Sequence, residues 1–130
     1  MIVDTSALVS ITLEETGHER LLRVLKDEGG AGVGAPTLVE TGLVLELLLG
    51  QRRQALVGRF FVEAGLEVIP FGEDHWPVAL EAFVRFGKGR HPARLNFGDC
   101  LTYAVARLAD EPLLCLVHDF AQTDLTLAHY

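Results

Sequence analysis

The sequence predicts an α/β domain: a central, twisted, mainly parallel sheet with helices on both sides, in three layers. Three observations carry that expectation. Short β-branched or apolar runs alternate with longer segments of helical periodicity, the order that builds parallel sheets through crossover helices. No internal repeat, low-complexity tract or linker interrupts the alternation. With 130 residues, 49 % of them hydrophobic, the chain has material for one core without disulfides or metal staples, so residues 1–130 are expected to form a single domain.

Met1 to Asp4 reads as the first strand, passing at Thr5-Ser6 into a helix that runs to about Glu14. Gly17 to Glu28 is the next helix, because Leu21, Leu22, Val24 and Leu25 cluster at helical spacing and Gly29-Gly30 ends it. Gly32-Val33-Gly34-Ala35 is a short, weak second strand. Pro36 suits the first turn of a helix that continues to about Leu49 and stops at Gly50. That helix is apolar nearly all round and is therefore expected to be buried. Gln51 to Ala64 is another helix, with Gly65 as its C-cap. Glu67 to Phe71 is a third strand, Glu73 to Phe86 a helix entered at Trp76-Pro77, and Gly87 to Leu95 a basic loop. Asn96 to Ala109 is a helix with Phe97, Leu101, Ala104, Val105 and Leu108 on one stripe. Leu113 to Val117 is the fourth strand. The tail after Asp119 is expected to hold a helical turn and a small strand near Leu125 to Leu127.

Composition narrows the setting. Cys100 and Cys115 each lie in an apolar run and read as buried free thiols, which fits a reducing cytoplasm. The start has no basic segment, and the most apolar stretch, Leu43 to Leu49, is broken by Glu46 and too short to span a bilayer. A cytoplasmic protein without a membrane partner is the expectation. The net charge of −7 argues against nucleic acid at first, because phosphate contacts need Lys and Arg. Clustered carboxylates soften that argument if divalent cations neutralise them and become phosphate-binding charges. The basic residues are also uneven: Arg85, Lys88, Arg90 and Arg94 fall within ten residues that contain no acid.

Four carboxylates stand where chemistry gathers in such folds. Ligands bind outside the carboxyl ends of the strands of an open α/β sheet. Asp4 ends the first strand and Asp119 follows the fourth, while Glu40 and Asp99 fall in the first turns of helices that start at the same edge. Together they would repel one another unless cations sat among them, and hard oxygen ligands suit Mg²⁺ or Mn²⁺. Each also has a structural alternative. Asp4, like Thr5 or Ser6, can cap the first helix; Asp99 can close a capping box with Asn96; Asp119 can open a turn. Glu40, on an apolar helix, would need a partner such as an arginine. The pattern alone leaves both accounts open.

Four segments resemble, in order and spacing, the marks of VapC-type PIN domains. They are Ile2-Val-Asp4-Thr-Ser6-Ala, Pro36-Thr-Leu-Val-Glu40, Asn96-Phe-Gly-Asp99 and Asp119-Phe-Ala-Gln-Thr123-Asp124. The similarity spans essentially all 130 residues. It implies a PIN-like fold and a Mg²⁺- or Mn²⁺-dependent ribonuclease site, with Asp4, Glu40, Asp99 and Asp119 as metal-binding and catalytic acids. Ser6 is then a group beside the metal that positions water, Thr5 supports the site, Asn96 braces the helix presenting Asp99, and Thr123 and Asp124 match the family's Thr-Asp pair. The chain departs from the pattern before the fourth acid, where the family has Gly followed by Asp or Asn and this chain has Val117-His118.

The implied reaction is metal-assisted hydrolysis of a phosphodiester in single-stranded or looped RNA; Arg85, Lys88, Arg90 and Arg94 are candidate phosphate contacts, with a solvated loop as the alternative. The resemblance also implies a VapB-type antitoxin as partner and a homodimeric toxin. Two rivals stand beside it. One is a catalytically silent PIN-fold binding module, which His118 alone supports. The other is a phosphatase or phospho-receiver domain: a haloacid-dehalogenase-like site wants a second Asp where Ser6 stands, and a receiver wants a lysine that neither Lys26 nor Lys88 supplies. No glycine fingerprint for dinucleotides or nucleoside triphosphates occurs, and the histidines and cysteines show no zinc spacing.

Overall fold

The computed structural model describes residues 1–50, 54–116 and 118–130, with the backbone alone at 54–57. Four parallel strands, β1 (Ile2–Val3), β2 (Ala31–Gly34), β3 (Leu66–Ile69) and β4 (Leu113–Leu114), lie in the order β3-β2-β1-β4. Ile2 pairs with Gly32 on one side and Leu113 on the other, and Val33 pairs with Val68. The crossovers carry six helices: α1 (Thr5–Thr12), α2 (His18–Asp27), α3 (Ala35–Leu49), α4 (Gln54–Glu63), α5 (His75–Phe86) and α6 (Phe97–Ala109).

Strand alternation divides the interior in two. Ile2 and Leu113 face a cluster built on α5 and α6, with Ala82, Phe86, Tyr103 and Phe120. Val3 and Leu114, one residue on, face a cluster built on α1 and α2, with Leu8, Leu21 and Leu25. Strands β1, β2 and β4 are covered on both faces, the expected three-layer α/β arrangement, while β3 is the more exposed edge strand. The chain builds β1, β2 and β3 outward in one direction, then places β4 on the far side of β1. The topological switch point thus lies between β1 and β4, and the residues leaving those two strands border the crevice.

Several boundaries differ from those the sequence suggests. β2 begins at Ala31 and β3 ends at Ile69, while β4 spans only Leu113–Leu114; Val117 falls outside the described residues, as do Gln51 to Arg53 at the expected start of α4. The tail makes a 3-10 turn at His118–Gln122 and a single bridge from Leu127 to Leu113 in place of a fifth strand. Both cysteines are buried and free, as expected.

The larger corrections concern two helix faces. α3 is not buried all round: only Thr37, Thr41 and Leu45 are buried, whereas Val39, Leu43, Leu47 and Leu48 are at least 60 % exposed. A helix lying along a sheet edge buries one stripe, and here the i, i+4 stripe of two threonines faces inward because polar partners wait there. On α6 the buried face runs through Cys100, Thr102, Tyr103, Ala104, Val105 and Ala106, leaving Phe97 and Leu108 outside. Gly34 explains how closely α6 approaches the sheet, since a Cβ there would stand 2.9 Å from Val105 Cγ2.

The corrected face of α3 has a direct test. Leu45→Ala should cost about 2–5 kcal/mol of unfolding free energy, as expected of a buried leucine. Leu47→Ala, at 88 % exposure, should stay within about 0.5 kcal/mol of the parent in the same urea titration. Equal losses at the two positions would restore the all-buried helix.

Candidate active site

Asp4 leaves β1 with extended backbone and is the N-cap of α1, so a strand end and a helix start meet at one buried carboxylate, 5 % exposed. Its Oδ2 accepts from the Ser6 amide at 2.9 Å and the Ser6 hydroxyl at 2.6 Å, and its Oδ1 accepts from the Thr102 hydroxyl at 3.3 Å. Ser6 Oγ in turn accepts from the Leu116 amide at 3.0 Å. Ser6 is therefore a strut between Asp4 and the segment leaving β4, with its proton already committed.

Glu40 projects from the second turn of α3 and is half-buried. Gly98, in the first turn of α6, lies directly against it: a Cβ on that glycine would come within 2.9 Å of the Glu40 carboxyl carbon. A side chain at Gly98 would displace the Glu40 carboxylate from its present place. Burial first, then the charges of Asp4 and Asp99, push the Glu40 carboxyl above its ordinary value of 4.5, against a hydrogen bond from Thr5.

Asp99 completes the capping box at α6. Asn96 Oδ1 accepts from the Asp99 amide and Asp99 Oδ2 accepts from the Asn96 amide, each at 2.9 Å. Burial, and then the charges of Asp4 and Asp119, raise the Asp99 carboxyl, while the Asn96 amide opposes the shift. Asp119 sits in the 3-10 turn that Phe120, fully buried beside it, anchors to the core. Cys115 reports the same field: burial, with added repulsion from Asp4 and Asp99, pushes its thiol up to about 12.

The structure brings Asp4, Glu40, Asp99 and Asp119 to one rim, where Asp4 and Asp99 act on Glu40, and Asp4 and Asp119 act on Asp99. The local roles also hold, since Asp4 caps α1, Asp99 closes a capping box and Asp119 lies in a turn. Neither account excludes the other. Among the described residues no Lys or Arg forms an ion pair with these acids, and no three His, Cys, Asp or Glu side chains approach to ion-coordinating distance. The donor set fits a hard divalent cation in chemistry, with mutually repelling carboxylates and a glycine that keeps space for one of them.

Thr123 and Asp124 make no hydrogen bond to these acids among the described residues. Thr123 bonds the Phe120 carbonyl, and Asp124 accepts from Tyr103 at 2.7 Å and Arg85 at 3.1 Å, further along α6 than Asp99. They close the tail. Arg85 is accordingly engaged, Arg90 lies over the Phe83 ring at 5.4 Å, and Lys88 and Arg94 are exposed. His118 is exposed at the start of the turn that carries Asp119.

Sequence reasoning missed a set of inward threonines. Thr41 bonds the Thr37 carbonyl at 2.8 Å and lies 3.3 Å from the Thr5 hydroxyl, and Thr37 and Thr102 hydroxyls meet at 3.0 Å. The only signal was an i, i+4 pair of threonines in an otherwise apolar helix.

A three-layer parallel sheet with acids gathered at its switch point defines a class, and comparison with known proteins identifies it. The PIN domain family model matches residues 1–124, and the chain belongs to the PIN-domain family. It is 44 % identical over 126 residues to VapC ribonuclease Mb2004c of Mycobacterium bovis and to ribonuclease VapC36 of Mycobacterium tuberculosis, covering 96 % of this chain and 91 % of each relative. It is 33 % identical over 129 residues to ribonuclease VapC of Mycolicibacterium smegmatis, covering 99 % of this chain and 100 % of that one. Among solved structures, VapC20 of Mycobacterium tuberculosis, described as a sarcin-ricin loop cleaving toxin, superposes with TM-score 0.78 at 18 % identity, covering 98 % of this chain and 97 % of that one. A toxin-antitoxin complex from Klebsiella pneumoniae superposes with TM-score 0.69 at 17 % identity, over 99 % and 97 % of the two chains. At those identities the likeness concerns the fold.

The raised carboxyls set the sign of a pH effect. Above its raised folded value Glu40 is ionised in both states, so the folded protein carries the full cost of the shift; as pH falls through that value toward the unfolded 4.5, the cost is relieved. With divalent cations chelated, Glu40→Gln should therefore melt higher than the parent at neutral pH, and the gap should close below about pH 4. Melting curves at the two pH values check this; a variant less stable at neutral pH contradicts it.

Proposed function

We propose that this chain is a VapC-type toxin: a Mg²⁺- or Mn²⁺-dependent endoribonuclease that hydrolyses phosphodiester bonds of single-stranded or looped RNA in the cytoplasm. The observation that supports this reading is the convergence of Asp4, Glu40, Asp99 and Asp119 at the switch point, linked through the charges of Asp4 and Asp99, in a relative of VapC ribonucleases. Asp4, Glu40, Asp99 and Asp119 are the residues that would hold the cation. When bound, it supplies an activated water and neutralises charge at the phosphate and the departing 3′ oxygen.

The chain's own groups have defined tasks in this scheme. Asp4 is oriented by Ser6 and Thr102, Asp99 by Asn96, and Glu40 by Thr5 together with the space over Gly98. RNA is guided by Lys88, Arg90 and Arg94 on the exposed loop that leads directly into the first turn of α6, where Asp99 stands; Arg85 joins them only on release from Asp124. Single-stranded RNA suits a rim site because its backbone bends into the crevice.

Two partner surfaces accompany this assignment. The exposed apolar stripe of α3, with Val62 of α4, offers a face on which a helix of a VapB-type antitoxin docks, while an antitoxin arginine fills the acidic rim. The second apolar surface is a groove of about 350 Å³ between α5 and α6, lined by Trp76, Leu80, Phe83, Phe97 and Leu101. That groove is our candidate for the two-fold contact of a homodimer.

Asp4→Asn or Asp99→Asn should reduce RNA cleavage at matched Mg²⁺ by at least about a hundredfold while circular dichroism stays unchanged, since each removes ligand charge and little volume. Sequencing of RNA ends in cells expressing the parent and Asp4→Asn proteins reads the same difference. Unchanged cleavage in both variants would leave the silent binding module as the better account. Replacing Lys88 and Arg94 together by Ala should flatten the dependence of RNA affinity on salt by roughly 1.4 in log–log slope. An unaltered slope removes the loop from the RNA path.

A further inference from the structure

Threonines in helices usually solve their hydrogen bonding locally. Thr12 and Thr41 each donate to the carbonyl four residues back, at 2.8 Å. Thr102 has the Gly98 carbonyl at the same helical spacing, yet its hydroxyl goes to Asp4 Oδ1, 98 positions away in sequence. Thr102 is 1 % exposed, and Thr37, whose hydroxyl stands 3.0 Å from it, is 2 % exposed.

The direction of this chain follows from counting protons. A carboxylate only accepts, so Thr102 gives Asp4 its single hydroxyl proton, and Thr37 must then be the donor to Thr102. Hydroxyl dipoles are aligned from Thr37 through Thr102 to the acid, an arrangement in which each bond strengthens the next. Thr37 lies three residues before Glu40 on α3, and Thr102 three residues after Asp99 on α6. The relay therefore joins three acid-bearing elements next to their acids. Ser6 takes Asp4 Oδ2 with two donors. Of the roughly four acceptor positions on a carboxylate, the one left open among the described residues is on Oδ1, the oxygen that Thr102 holds.

We infer that Thr102, backed by Thr37, is a positioning residue of the acidic site. It fixes the rotation of the Asp4 carboxylate and so holds the open acceptor position of Oδ1 ready for the cation that the acids would bind. The inference rests on the metal-dependent reading above. A purely structural pair of buried hydroxyls would lower stability on mutation but leave cation affinity unmoved.

The experiment is calorimetric titration of Mn²⁺ into the protein without RNA, for the parent, Thr102→Val, Thr102→Ser, Thr37→Val and Asp4→Asn. Valine keeps the shape and removes the proton. Thr102→Val should raise the Mn²⁺ dissociation constant about tenfold, Thr102→Ser should stay within about twofold of the parent, and Asp4→Asn should show no measurable binding. Thr37→Val keeps the bond to Asp4 but removes its support, so a rise of about threefold is expected; this variant decides the matter if Thr102→Val does not fold. Parental affinity in the folded valine variant, or a serine variant as weak as valine, overturns the positioning role while leaving the metal site standing. A parent protein that binds no Mn²⁺ overturns the metal reading, and the inference with it.

Discussion

The burial of one carboxylate between a strand and a helix constrains the rest of the active edge. Asp4 is almost wholly removed from water, and an isolated carboxylate in that position would cost several kcal/mol. Its three hydrogen bonds come from α1 and α6, and the serine that gives two of them is held from the segment leaving β4. Satisfying Asp4 therefore requires the central strand, its neighbour and two helices to be in place at once. The site is assembled by the same contacts that complete the fold.

That dependence explains why structural and functional accounts of the acids do not compete. A helix cap needs an oxygen at a strand's end, and a cation site needs an oxygen at the carboxyl edge of the sheet; topology makes these one location. Asp99 spends one oxygen on the Asn96 amide, and its other oxygen makes no hydrogen bond among the described residues. Glu40 has no capping role, and its carboxylate occupies the space over Gly98.

Much of this was legible in the sequence, and the misses share a cause. Alternation of runs gave the element order, and the resemblance singled out the acids that the structure gathers at one rim. The burial of α3 was misjudged because hydropathy averages around a helix, while packing selects a stripe; Thr37 and Thr41 face inward for their hydroxyl partners and Leu47 faces out. The stripe drawn on α6 failed for the same reason, counting Phe97 as core and passing over Thr102 and Tyr103. Thr123 and Asp124 were singled out by their match to the family's Thr-Asp pair; in the structure they follow a 3-10 turn, and Asp124 bonds Tyr103 and Arg85.

The capping box at α6 has one further consequence. Two helices, α1 and α6, begin at the acidic rim, so the aligned peptide dipoles of both direct their positive ends toward it. Each helix start acts as roughly half a positive elementary charge, built from backbone amides that do not titrate. Part of the repulsion among the acids is thus countered by a charge that no side-chain substitution removes. A lone cation on the rim would be exchanged for solvent or a partner; the backbone's contribution stays for as long as the helices do.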